Sequence, residues 1–260
     1  MTGIIGFRFP NGVFIAADTR RTFGGSPNRD IPFTKVHKIT PKIGLASCGT
    51  PIEAATNDVI WSAENQDADD IIKLIQSKYS EIMNMNHDVK EDILTTLILF
   101  GLNKNDTPFM YKLEWNKVNN CFTIVEKLED ETGVMADGSE TGVGHFKTMG
   151  ENNLELVKVQ DGFYLEQWAV ITMKQIIDEY LPQKHEKMKD VESLMDVVGF
   201  PIDLIMIKKD ENMYKRIEES KLTKDDVTEE IQNVNDGLEK FGEEFRLEDG
   251  PYEGKFYVKV

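Results

Sequence analysis

A threonine stands directly after the initiator methionine, and the apolar run that follows it closes on the string "AADTRR" at residues 16–21. A hydroxyl is a poor nucleophile until a base takes its proton. Histidine is the usual base, but the chain has only four, and none falls in a triad spacing. A threonine at a free amino terminus has a second option, its own α-amine, which titrates at about 7.7–8.0 in an unstructured chain and so works near neutral pH. Thr2 gains that option once Met1 is removed, a trimming cells ordinarily carry out before a small residue. The implied chemistry is acyl transfer: Oγ attacks a carbonyl and an acyl ester forms. Ala16 and Ala17 followed by an acid and two arginines are odd at the end of a buried strand, and are read as groups that serve the nucleophile.

Such groups need a rigid support. "GIIGFRF", the turn "PNG" and "VFIAA" read as a hairpin, and "KVHKI" and "IGLASC" as two further strands across "TPK". The segment Thr22–Thr34, rich in Gly, Pro, Asn and Ser, reads as a loop. A helix is expected from near Thr50, with Pro51 at its start and Ile52, Ala55, Val59 and Ile60 at helical spacing. A second is predicted over Ala68–Met85, its inner side formed by Ile71, Ile72, Leu74, Ile75, Tyr79 and Ile82. Three strand-like runs follow ("DILTTLILFGLN", "FMYKLEW", "CFTIVEK"), then helices over "LEQWAVITMKQIIDEYL" and "HEKMKDVESLMDVV", then a hairpin of "IDLIMIKK" and "NMYKRIE". Strands, two helices, strands, two helices, strands: this order predicts an α+β fold, a four-layer αββα sandwich of two antiparallel sheets flanked by helix pairs. Residues 1–221 form that domain, and the acidic stretch 222–260 is an appendage, helical over Leu222–Leu247 with an edge strand in "GKFYVKV".

Composition removes several functions. With 46 acidic residues against 30 Lys+Arg, the formal charge of -16 disfavours nucleic acid, whose phosphates reward basic residues. Cys48 and Cys121 have no metal-ligand spacing, which predicts a reduced, cytoplasmic interior without a zinc site. The opening lacks a basic start and a long apolar core, so no signal peptide is expected, and "TLILFGL" is too short to span a bilayer. The carboxylates have no ligand pattern with His or Cys, so no metal or cofactor is expected, and the Gly24–Gly25 pair does not make a phosphate loop.

Over Thr2–Ala55 the chain resembles the proteasome β-type subunits, which are N-terminal-nucleophile hydrolases. The matching stretches are "TGIIGF", "NGVFIAADTRRT", "KVHKI" and "IGLASCGTPIEA". The resemblance implies roles beside Thr2. Lys35 would favour the developing alkoxide with its positive charge, and Asp18 would pair with Lys35. The Gly49 N–H would donate to the oxyanion, with glycine letting the scissile carbonyl approach. Taken singly, Lys35 is equally a solvated strand-edge lysine, Asp18 a strand-end partner of Arg20 or Arg21, and Gly49 the turn before a helix; their order carries the reading. Further along, "MADGSETG" resembles the family's Gly-Ser-Gly turn and implies Ser139 near the Thr2 amine, with Glu140 at the second glycine's place. "DVVGFPIDLIMI" resembles the segment before a late strand and implies a carboxylate role for Asp196, with Gly199 where the family has a supporting serine.

The same resemblance implies that a peptide lies as an added strand along the sheet edge, with Arg21, Phe33, Ser47 and Ala55 around the side chain beside the scissile bond. Arg21 would suit an acidic side chain and Phe33 an apolar one; alternatively, Phe33 is core and Arg21 faces water. The expected function is a threonine-type peptidase acting on peptides or unfolded protein, as a homo-oligomeric ring fed by an ATP-driven unfoldase. Two alternatives stand beside it: a non-catalytic assembly subunit, and an amide hydrolase or transferase with a dedicated substrate.

Overall fold

The amino-terminal hairpin forms as Gly3–Phe9 (β1) and Gly12–Asp18 (β2), with Phe9 opposite Gly12 across the Pro10–Asn11 turn. Pro10 presets the negative φ of the turn's first central residue, and neither Asn11 nor Gly12 takes a positive φ. The computed structural model describes residues 3–23, 26–28, 33–49, 53–63, 66–85, 95–116, 118–138, 165–175, 199–218, 245–249 and 255–259, with isolated positions between 147 and 157.

Within them, Arg21–Phe23 (β3) and Ser26–Asn28 (β4) form a small ladder. Val36–Lys38 (β5) and Ile43–Gly49 (β6) lead to helices Glu53–Ser62 (α1) and Ala68–Met85 (α2). Strands Thr95–Leu102 (β7), Pro108–Asn116 (β8), Cys121–Leu128 (β9) and Gly133–Gly138 (β10) precede helix Leu165–Gln175 (α3). Ile202–Lys208 (β11), Asn212–Ile217 (β12), Phe245–Asp249 (β13) and Lys255–Lys259 (β14) complete the described elements.

Two five-stranded antiparallel sheets result, ordered β10-β1-β2-β11-β12 and β5-β6-β7-β8-β9. Side chains alternate across a strand, and here both faces of the central strands are covered. Ile4, Val13, Ile15 and Ala17 meet Ala46, Ile98, Phe100 and Met110 between the sheets. The residues between them in sequence, Ile5, Phe7, Phe14 and Ala16, pack under α3 with Ala169 and Met173. This double coverage is why "GIIGFRF" and "GVFIAAD" read as continuous apolar runs and why all seven residues of each are buried. On the other outer face, Leu45, Leu97 and Leu99 pack against Val59, Ile71, Ile75 and Tyr79 of α1 and α2. The order is therefore helix, sheet, sheet, helix, the αββα sandwich expected. Among the described residues, no helix is long and apolar enough to cross a membrane.

Local signals explain most of the boundaries. Asp67 accepts the Asp70 N–H at 2.9 Å and caps α2, which spans the predicted 68–85. Burial pushes the Tyr79 phenol up to about 12, and its hydroxyl meets Thr56 Oγ1 at 2.9 Å, fastening α2 to α1. Two expectations are corrected. Part of the Thr22–Thr34 segment pairs as β3–β4. "GVMADG", to which the sequence reading gave no element, is a full strand because β1 supplies a partner along its length. The helix expected over Leu222–Leu247 does not reach its end, since Phe245–Asp249 is a strand paired with β14 in a separate hairpin. The rest of that helix, and the one over "HEKMKDVESLMDVV", lie outside the described residues.

Candidate active site

The start of β1, the ends of β2 and β10 and the start of β11 share one end of their sheet: Gly3 is opposite Gly138, Ile4 opposite Ala17, and Ile202 opposite Asp18. Asp18 is fully buried there. Its Oδ1 accepts the Lys35 ammonium at 2.8 Å and the Gly3 N–H at 2.8 Å, while Oδ2 accepts the Arg20 N–H at 3.0 Å. The Gly3 N–H belongs to the peptide bond that joins it to Thr2. One carboxylate oxygen thus holds both the backbone adjoining Thr2 and a buried cation.

Lys35 is not a solvated strand-edge lysine: its side chain is 4% exposed. Lysine is almost never buried without a partner, because a lone ammonium loses its hydration. The approach to β5 fixes it. The Phe33 N–H donates to Thr19 O at 2.8 Å and the Ser47 N–H to Lys35 O at 2.9 Å, so the backbone on both sides is pinned. Thr19, also buried, ties in a third segment: its N–H and Oγ1 both donate to Pro201 O, at 3.0 and 2.8 Å. Beside Pro201, Gly199 has the Arg20 side chain against its bare Cα; a Cβ there would lie 2.0 Å from Arg20 Nε.

A second buried carboxylate lies behind the first. Asp203, opposite Ala17 in the β11–β2 ladder, takes a bidentate pair from Arg216 at 2.6 and 2.7 Å, and Arg216 also donates to Thr34 Oγ1 at 3.1 Å. That bonding to Asp203 holds the Arg216 guanidinium above its ordinary pKa.

Gly49 ends β6 with φ +87, a left-handed conformation that a side chain disfavours. Two residues earlier on the same strand, Ser47 lines a cleft of about 230 Å³ with Phe33, Thr34, His37, Glu53, Thr56 and Asn57. Burial lowers the His37 pKa, against smaller opposing contributions from a Thr34 backbone bond and Asp203. The fold therefore favours neutral His37. An unfolded histidine titrates at about 6.5, so on acidification the unfolded chain takes a proton that the folded one resists, and stability falls. The contribution is complete above the unfolded pKa and is lost as pH drops through the folded one. His37→Gln is expected to flatten the decline in Tm between about pH 7 and pH 5 relative to the wild type, measured by calorimetry.

The structure thus brings Asp18 and Lys35 into contact and places Gly49 at the end of β6, two residues past Ser47. Phe33 and Ser47 line that cleft. Ala55 is buried in the apolar layer under α1 and is not among the lining residues; Glu53, Thr56 and Asn57 of the same helix are. Arg21 lies in β3, and its side chain is outside the described part of the structure, as are Thr2, Ser139 and Asp196 entirely. Sequence reasoning missed the Gly3 amide, Thr19, Thr34, His37 and the Asp203–Arg216 pair. Only the last left a trace, as an acid and a base on consecutive strand-like runs.

The model of the proteasome subunit family matches residues 2–116. A probable proteasome subunit beta type-2 from Encephalitozoon cuniculi (strain GB-M1) is 34% identical over 86 residues, a stretch that spans 33% of this chain and 34% of that relative. Two solved structures share the fold across nearly the whole chain. One, a Gly-1 mutant of Anbu from Hyphomicrobium sp. strain MC1, has a TM-score of 0.54 at 16% identity, covering 93% of this chain and 96% of its own. The other, Anbu (ancestral beta-subunit) from Yersinia bercovieri, has a TM-score of 0.55 at 15% identity, covering 95% and 100%. Residues 2–116 are thus similar to the proteasome subunit family, and the sandwich is shared end to end with the two Anbu structures, a combination that supports a divergent proteasome β-like chain.

Proposed function

We propose that the chain is an N-terminal threonine peptidase or amide hydrolase. The observation that carries this reading is the shared oxygen, Asp18 Oδ1, at 2.8 Å from both Lys35 Nζ and the Gly3 N–H. With Met1 removed, the Thr2 α-amine accepts the Oγ proton as Oγ attacks the peptide carbonyl. The Lys35 ammonium favours the developing alkoxide, and the Gly49 N–H donates to the oxyanion. The tetrahedral intermediate collapses with transfer of the proton to the departing amine, leaving an acyl ester on Thr2. Water, deprotonated by the same α-amine, cleaves the ester and restores Thr2. Ser139 and Asp196 are assigned to the surroundings of the amine.

The cleft lined by Phe33 and Ser47 receives the substrate side chain on the acyl side of the scissile bond, with Arg21 and Ala55 assigned nearby. The substrate is a peptide or unfolded protein. The working form is a homo-oligomeric ring in the cytoplasm, supplied by an ATP-dependent unfoldase, and residues 222–260 belong to the same domain. A second reading, an assembly subunit without activity, draws on Gly199 and Glu140, which depart from the family pattern.

Intact-mass spectrometry separates the two. The purified protein is expected to lack Met1 and to take up one equivalent of a peptide β-lactone on Thr2, whereas a Thr2→Ala variant stays unlabelled. Retention of Met1, or labelling that persists in Thr2→Ala, overturns the enzymatic reading.

A further inference from the structure

We infer that Arg20 is a positioning residue of this centre, and that Gly199 is glycine in order to seat it. The inference rests on the threonine-peptidase reading above. A Cβ built at Gly199 would lie 2.0 Å from Arg20 Nε, 2.2 Å from Cζ and 2.6 Å from Nη2. No side chain other than hydrogen fits while the guanidinium stays there. Arg20 is therefore laid over the Gly199 backbone, in the volume that any residue with a β-carbon would occupy.

The surroundings give this contact its consequence. The Arg20 backbone N–H donates to Asp18 Oδ2 at 3.0 Å, and Asp18 Oδ1 holds Lys35 and the Gly3 amide. Thr19, between Asp18 and Arg20, donates twice to Pro201, two residues past Gly199. Residues 18–20 and 199–201 are thus joined by two kinds of contact, hydrogen bonds at Thr19 and the guanidinium at Arg20. The planar fork, held on a backbone with no side chain, fixes the conformation of the residue whose N–H serves Oδ2 and so limits rotation of the Asp18 carboxylate. It also brings hydrogen-bond donors to the place where the family resemblance puts a hydroxyl. Arginine in this place is a replacement for a side chain at 199, and the two positions act as a matched pair.

Four proteins test this: wild type, Arg20→Ala, Gly199→Ala and Arg20→Ala/Gly199→Ser. The readouts are the rate of Thr2 acylation by a peptide β-lactone, kcat and KM on a fluorogenic peptide, and Tm. Because a β-carbon at 199 evicts the flexible end of Arg20 and leaves the main chain alone, Gly199→Ala should match Arg20→Ala. Both should lower acylation and kcat about 10- to 100-fold, the scale of a small misplacement, with KM little changed. The double variant restores a hydroxyl without the clash and should be faster than Arg20→Ala alone. A residue that only supports the fold would lower Tm in proportion and would show no such recovery. The inference is overturned if Arg20→Ala keeps the wild-type rate, if the double variant is no faster than Arg20→Ala, or if rate losses track Tm. Absence of Thr2 acylation in the wild type instead overturns the enzymatic reading, and this inference with it.

Discussion

A Lys35→Met variant is expected to lose both stability and turnover, and for separable reasons. Methionine replaces most of the aliphatic stem, so packing changes little. The charge does not survive. Asp18, with no exposed surface, keeps the Gly3 and Arg20 N–H groups as donors and loses its ammonium partner. Removing one member of a buried ion pair costs about 3–5 kcal/mol, because the other is left charged and dry. Denaturant unfolding should show that loss as a lower midpoint with an unchanged slope. Acylation of Thr2 should fall by about 10²–10³-fold or more, the scale for loss of one preorganised stabiliser of developing negative charge. Asp18→Asn in the Lys35→Met background removes the stranded charge and should recover most of the stability with none of the activity. Recovery of both would mean that Lys35 serves only the fold.

Gly49→Ala is expected to show the opposite balance, with a large effect on rate and a small one on stability. Gly49 is exposed at the end of β6 and has φ +87, where a β-carbon costs about 1–2 kcal/mol. The backbone relieves that strain by rotating, and rotation re-aims the N–H that the proposed mechanism assigns to the oxyanion. Loss of one such donor lowers kcat by about 10²–10³-fold. Tm should drop by only a few degrees, since a cost of about 1 kcal/mol shifts a domain of this size by roughly 2–4 °C. Unchanged kcat in a folded Gly49→Ala protein would remove Gly49 from the mechanism and point to a different oxyanion donor.

The parts of the site that were legible in the sequence are those whose local chemistry and tertiary fate agree. The β1–β2 hairpin combines turn residues with apolar strands, and α2 carries apolar positions at helical spacing. Lys35 was legible only through its order among neighbouring motifs. A lysine next to a strand reads as solvated, and what buries it is a carboxylate seventeen residues earlier. The cleft was half legible for a geometric reason. Positions 53, 56 and 57 share one face of α1 at i, i+3 and i+4, while Ala55 and Val59 share the apolar face beneath. The resemblance implied a role for Ala55, but the rotation of the helix gives the cleft to its neighbours. The Asp203–Arg216 pair and the anchoring by Thr19 depend on which strands become neighbours, and β2 meets β11 from nearly the other end of the chain.

Lys35 stands just before β5 in one sheet, and Asp18 ends β2 in the other, so their contact is a bolt driven through the two halves of the sandwich. Sliding one sheet over the other would draw the ammonium off its carboxylate before it disturbed any strand pairing. The spacing of the layers is therefore written into the Asp18–Lys35 contact. On the proposed mechanism, a void carved around Phe100, deep in the middle layer, should blunt acylation of Thr2.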